Sequence, residues 1–115
     1  MLDDYTKIQL PVEFNFPMEF RKIIELNIVN IEPWYIMNAE RIETRINGLK
    51  EKYPSRCLIP FAKRDDNDDV ACFELGQDKK VFIVHDYASP GWEQHKIFED
   101  FWSWFRKAIE DMIEF

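Results

Sequence analysis

In the stretch IPFAKRDDNDDVACFEL, from Ile59 to Leu75, four aspartates fill five positions: Asp65, Asp66, Asp68 and Asp69, around Asn67. Carboxylates at that density can hold a cation, act as acid and base, meet a basic partner or solvate a turn. Calcium is the first chemistry to test, because Asp65, Asn67 and Asp69 fall at the first, third and fifth positions of an EF-hand loop. The remainder of that loop fails. Its sixth position requires glycine and is Val70, its twelfth requires a bidentate glutamate and is Gly76, and the flanks read as strands where helices are needed. The expectation is a soluble turn that can also dock a partner, with no metal ligand set assigned.

For catalysis the candidates are His85, His95, Asp86, Glu93, Cys57 and Cys72, since a nucleophile needs a base within reach and a group that orients the base. No spacing among them matches a known arrangement. HExxH, GxSxG and a glycine-rich phosphate loop are all absent. A histidine ending a strand beside an aspartate serves more often as a structural hydrogen-bonder, and thiols buried in apolar strands are inert. No catalytic residue and no cofactor is assigned. The loop His85-Asp86-Tyr87-Ala88-Ser89-Pro90-Gly91-Trp92-Glu93 sets an aromatic pair among carboxylates. Tyr87 and Trp92 can anchor an interface or tuck under the sheet, and the sequence leaves both open.

These residues need elements to hold them. Asn15 is expected to cap a helix over 16–29, with Pro17 in its first turn and Phe16, Phe20, Ile23, Ile24 and Ile28 on one side. Pro33 ends it, and Trp34 to Met37 reads as an extended or edge segment. Asn38 then caps a second helix with the stripe Ala39, Ile42, Ile46, Leu49 and Tyr53, closed by Pro54. Runs at 56–62, 70–75 and 80–86, separated by the aspartate turn and by residues 76–79, form an antiparallel three-strand meander. Ala71, Phe73 and Leu75 alternate to one face, where Phe82 and Val84 are expected to join them. From Ile97 to Ile113 the apolar residues fall within half a helical circumference, which predicts a long amphipathic C-terminal helix covering that face. The fold class is α+β: an antiparallel sheet packed against N-terminal helices and this last helix.

The whole composition fits one domain over 1–115. At 115 residues with 46% hydrophobic and 16% aromatic residues, the chain can bury a core without disulfides. Cys57 and Cys72 are fifteen positions apart, with no CxxC spacing, and are expected to be reduced and buried. A net charge of −7, from 22 acidic and 15 basic residues, repels nucleic-acid backbones and favours a basic protein partner. MLDDYTKIQL carries acid where a signal peptide needs positive charge, and no apolar stretch reaches membrane-span length, so the expected location is the cytoplasm.

Three segments, LIPFAKRDDNDDVACFEL, KKVFIVHDY and KIFEDFWSWFRKAIE, together resemble the SUKH superfamily, which includes bacterial immunity proteins and fungal cell-wall assembly regulators of the Smi/Knr type. Ile59-Pro60-Phe61-Ala62 fits the family's "IPFA" strand, Phe98, Phe101 and Phe105 its terminal helix, and Pro33-Trp34 its mid-chain "PW". Asn67-Asp68 stands where the family usually carries Gly-Asp. The resemblance implies a non-catalytic domain that binds and neutralises a cognate polymorphic toxin, a nuclease among the possibilities, or else a scaffold that recruits a cellular partner. On either reading the expected contact set is Asp65, Asp66, Asp68, Asp69, Asp86, Tyr87, Trp92 and Glu93. A small hydrolase or metal-dependent enzyme using His85 and nearby carboxylates is the third reading.

Overall fold

Six antiparallel strands lie side by side in the order in which the chain makes them, β1 Asn30–Ile31, β2 Trp34–Ile36, β3 Leu58–Arg64, β4 Asp69–Glu74, β5 Val81–His85 and β6 Gln94–Phe98. This computed structural model describes residues 2–77 and 79–115; Met1 and Asp78, the latter in the expected 76–79 turn, lie outside the described residues. The helices are α1 Leu2–Thr6, α2 Met18–Glu25, α3 Ala39–Lys52 and α4 Phe101–Glu114. The α+β class holds, with a sheet twice as wide as the expected meander. Trp34 to Ile36 is an interior strand flanked by β1 and β3, and β1 and β6 are the two edges.

Period-two alternation gives the sheet two apolar faces, and each is covered. On the first, Phe61 stacks on Phe73 with ring centroids 4.4 Å apart, and Phe20, Phe101 and Trp104 close over them. A register shift between Pro60 and Ala62 lets both Phe61 and Ala62 join this cluster. On the second face Val70, Cys72, Phe82 and Val84 pack against Leu49 and Tyr53 at the C-terminal end of α3. Phe82 and Val84 therefore do not join Ala71 and Phe73 as expected. Phe82 is paired with Cys72, whereas Ala71 is paired with Ile83, and a one-residue offset changes the face of every side chain.

Helix ends explain the other departures. Asn38 does cap α3, its Oδ1 accepting from the Arg41 N–H at 2.8 Å. Pro17, not Asn15, is the cap residue of α2, which stops at Glu25 where residue 29 was expected. There Asn27 adopts the left-handed conformation at φ 59°, and the N–H groups of Asn27 and Ile28 return to the carbonyls of Ile24 and Ile23. Ile97 and Phe98, expected in the last helix, belong to β6. Asp100 caps α4 through a 2.8 Å bond from the Ser103 N–H, so the helix starts at Phe101. Met112 and Ile113 lie on the exposed side, outside the core. Both cysteines are free; Cys72 is buried, but Cys57 is only half-buried. Among the described residues no helix is long and apolar enough to cross a membrane.

Candidate functional site

Because β3–β4 and β5–β6 turn at the same end of the sheet, the aspartate turn and the 86–93 loop become neighbours. Asp86 N–H donates to the Asp68 carbonyl at 3.2 Å, Tyr87 N–H reaches Asp68 Oδ2 at 3.4 Å, and His85 N–H donates to the Glu93 carbonyl at 2.9 Å. Asn67 Oδ1 accepts from Asp69 N–H at 2.8 Å, which folds the turn back on itself. All eight residues of the expected contact set thus lie at one end of the molecule.

They divide into two groups. Asp69, Asp86 and Glu93 are buried, at 6%, 4% and 7% exposure, and so cannot form the outer surface expected of them. The carboxylates of Asp86 and Glu93 are turned inward by cations from other elements. Arg45 and Lys52 of α3 both pair with Asp86. Arg56 pairs with Glu93 at 3.0 Å and with Glu74 at 2.8 Å. Burial alone would raise the Glu93 pKa, yet hydrogen bonds from its own N–H, from Arg56 and from Gly91 N–H hold it below the usual glutamate value. Gly91 sits at φ 94°, which only glycine adopts freely, and this brings its N–H to 2.7 Å from Glu93 Oε1. Tyr53 OH lies 2.7 Å from the Ala88 carbonyl and 3.0 Å from that of His85. The loop is pinned from beneath at several points.

What this pinning leaves outside is aromatic and acidic. Tyr87 and Trp92 are 79% and 80% exposed, so neither ring tucks under the sheet. Asp65 and Asp66 are exposed and Asp68 is half-buried. Asp66 is clamped by Arg64, whose Nε and Nη2 lie 2.8 and 2.9 Å from its oxygens, and this pair lowers the Asp66 pKa. Beside Tyr87 a groove of about 480 Å³ runs between α3 and the sheet, lined by Tyr35, Arg41, Arg45 and Lys63 among others. The acidic turn and this groove therefore both adjoin Tyr87.

On the opposite face the structure gathers Asp69, His85 and His95, a grouping that no sequence spacing announces because it comes from three strands. Asp69 is the cross-strand partner of His85. The register slips between β5 and β6, where Ile83 faces Lys96 and Val84 faces Gln94, so that His95 is the extra residue of a bulge. Asp69 Oδ1 lies 2.7 Å from His85 Nδ1 and 3.6 Å from His95 Nδ1. The two imidazoles are stacked 4.3 Å apart. A cleft of about 260 Å³ opens onto Asp69 and His95, lined also by Trp34, Arg64, Lys96, Trp104 and Asp111. No family model matches the chain, and no curated protein or solved structure gives a significant match.

Proposed function

We propose that this chain is a non-catalytic protein-binding domain that acts in the cytoplasm by occluding a basic partner, and that the partner is a cognate toxin. The observation that carries the reading is the construction of the 86–93 loop. Two buried carboxylates, three cations and a left-handed glycine hold a short loop still while Tyr87 and Trp92 stand almost wholly in solvent. Large rings held in place before encounter lose little entropy on binding, and Tyr and Trp dominate interface energetics. Exposed Asp65 and Asp66 beside them favour a partner of positive charge, in keeping with the net charge of −7. The toxin-neutralising role follows from the resemblance to SUKH immunity proteins and from the suitability of an acidic surface for a protein that handles nucleic acid.

The test is coexpression with the product of the adjacent gene, scored by cell survival and by copurification. Tyr87→Ala and Trp92→Ala are each expected to weaken the complex by at least about tenfold, as for central interface anchors, with the melting temperature unchanged. Full neutralisation by the double variant would refute this surface. Stable binding of a partner that is not toxic would replace immunity with scaffolding.

A further inference from the structure

We propose that Asp69, His85 and His95 form a binding site for one divalent transition-metal ion of the zinc class, entered from the cleft between the sheet and α4. The first observation is an acceptor without a donor. The Asp69 side chain is 9% exposed, and its Oδ1 is buried without a hydrogen bond. His85 Nδ1 lies 2.7 Å away, but its hydrogen bond goes to Asp68 Oδ1 at 3.3 Å, which a bound ion would displace. A buried carboxylate oxygen left in this condition is costly unless something positive faces it.

The second observation is the convergence of ligand atoms. One oxygen and two imidazole nitrogens lie within 4.8 Å of one another. Zinc holds its ligands at about 2.0–2.2 Å, so tetrahedral neighbours stand roughly 3.3 Å apart. The Asp69–His85 contact has to open slightly and the Asp69–His95 contact to close slightly, and the ring planes, now 24° apart, have to turn toward each other. His95 is the group free to move, since its side chain is 52% exposed. A bulge that turns one side chain toward its neighbours is a recurrent feature of binding sites.

The donor set chooses the ion. Two imidazoles and one carboxylate suit zinc, nickel or copper, whereas calcium and magnesium require more oxygen ligands than this cluster supplies. Of the cations lining the cleft, Arg64 and Lys107 are paired with Asp66 and Asp111, and the Lys96 ammonium lies over the Phe98 ring at 4.9 Å. Solvent in the cleft completes the coordination. The ion would tie β6, the edge strand, to β4 and β5, and would bracket the 86–93 loop at both ends. This inference does not depend on the protein-binding reading, and either can fail without the other.

The experiment uses the untagged chain, stripped with a chelator and titrated by calorimetry with zinc, nickel, calcium or magnesium chloride. His85 and His95 are the only histidines, so imidazole nitrogen NMR assigns the ligands directly. Zinc is expected to bind one to one, to shift the Nδ1 signal of both rings and to raise the melting temperature. His95→Ala, at an exposed position, should weaken binding by at least about tenfold, in line with the loss of a ligand or its support, while calcium and magnesium give no heat. Asp69→Asn tests the carboxylate, and Cys57→Ser, which should bind normally, controls for the half-buried thiol. Absence of saturable zinc binding, equal affinity in His95→Ala, or loss of binding in Cys57→Ser would overturn the site.

Discussion

Arg56 meets three side chains at once: both oxygens of Glu74, Oε2 of Glu93 and Oε1 of Gln94. It also lies over the Phe82 ring at 5.5 Å. One guanidinium therefore joins the start of β3, the end of β4 and the 86–93 loop, a task that needs its planar fork and that lysine could not copy. Replacing it with methionine keeps the stem but leaves two partly buried carboxylates unpaired, and should cost about 3 kcal/mol in urea denaturation. The pH dependence follows from Glu93. Its folded pKa lies below the ordinary 4.5, so its contribution is fully present above that value and is lost as pH falls through the folded pKa. Arg56→Met should move the acid-unfolding midpoint upward, because burial, which raises this pKa, then meets less opposition. An unchanged midpoint would mean that the loop is held by its backbone bonds alone.

At the scale of elements, the clearest signals in the sequence were side-chain caps and apolar periodicity. Asn38 and the stripe through Leu49 placed α3, and the runs around Phe61, Phe73 and Val84 placed three central strands. The segments that were missed lack such signals. β6 reads Gln94-His95-Lys96-Ile97-Phe98 and is exposed over its first four residues, so hydrophobic alternation cannot mark it; only its pairing with β5 does. The end of α2 is set by Asn27 in the left-handed region, a conformation that residue type permits without announcing. Asn27→Gly should leave the melting temperature unchanged or slightly higher, whereas Asn27→Ala should cost about 1 kcal/mol by thermal or urea melts. Equal stability of the two would show that the helix end tolerates another geometry. The site was legible in part for the same reason. The loop with its aromatic pair could be read along the chain, but which carboxylates turn inward depended on Arg45, Lys52 and Arg56 arriving from elsewhere, and the Asp69–His85–His95 cluster on strand register.

For the molecule as a whole, the surplus of negative charge acts over distances longer than any contact. Asp65 is exposed in the aspartate turn, and reversing it to lysine leaves the Arg64–Asp66 clamp in place. Asp65→Lys should slow association with a basic partner by about tenfold at low ionic strength, and the difference should shrink as salt is raised. Stopped-flow association rates across a salt series read this directly; an effect confined to dissociation would instead place Asp65 inside the contact. Both the rate and its salt dependence belong to the field of the whole protein, to which buried pairs such as Asp86 with Arg45 add little.

The order of the strands has a consequence for synthesis. Each strand joins the one made just before it, so the sheet can zip up behind the ribosome without waiting for a distant segment. The layer over Phe61 and Phe73 has no such luck, because part of its cover, Phe101 and Trp104, is translated afterwards. Until then the nascent chain shows greasy rings that Phe20 of α2 covers only in part, and arrival of α4 closes the exposed patch through which such an intermediate would stick to others.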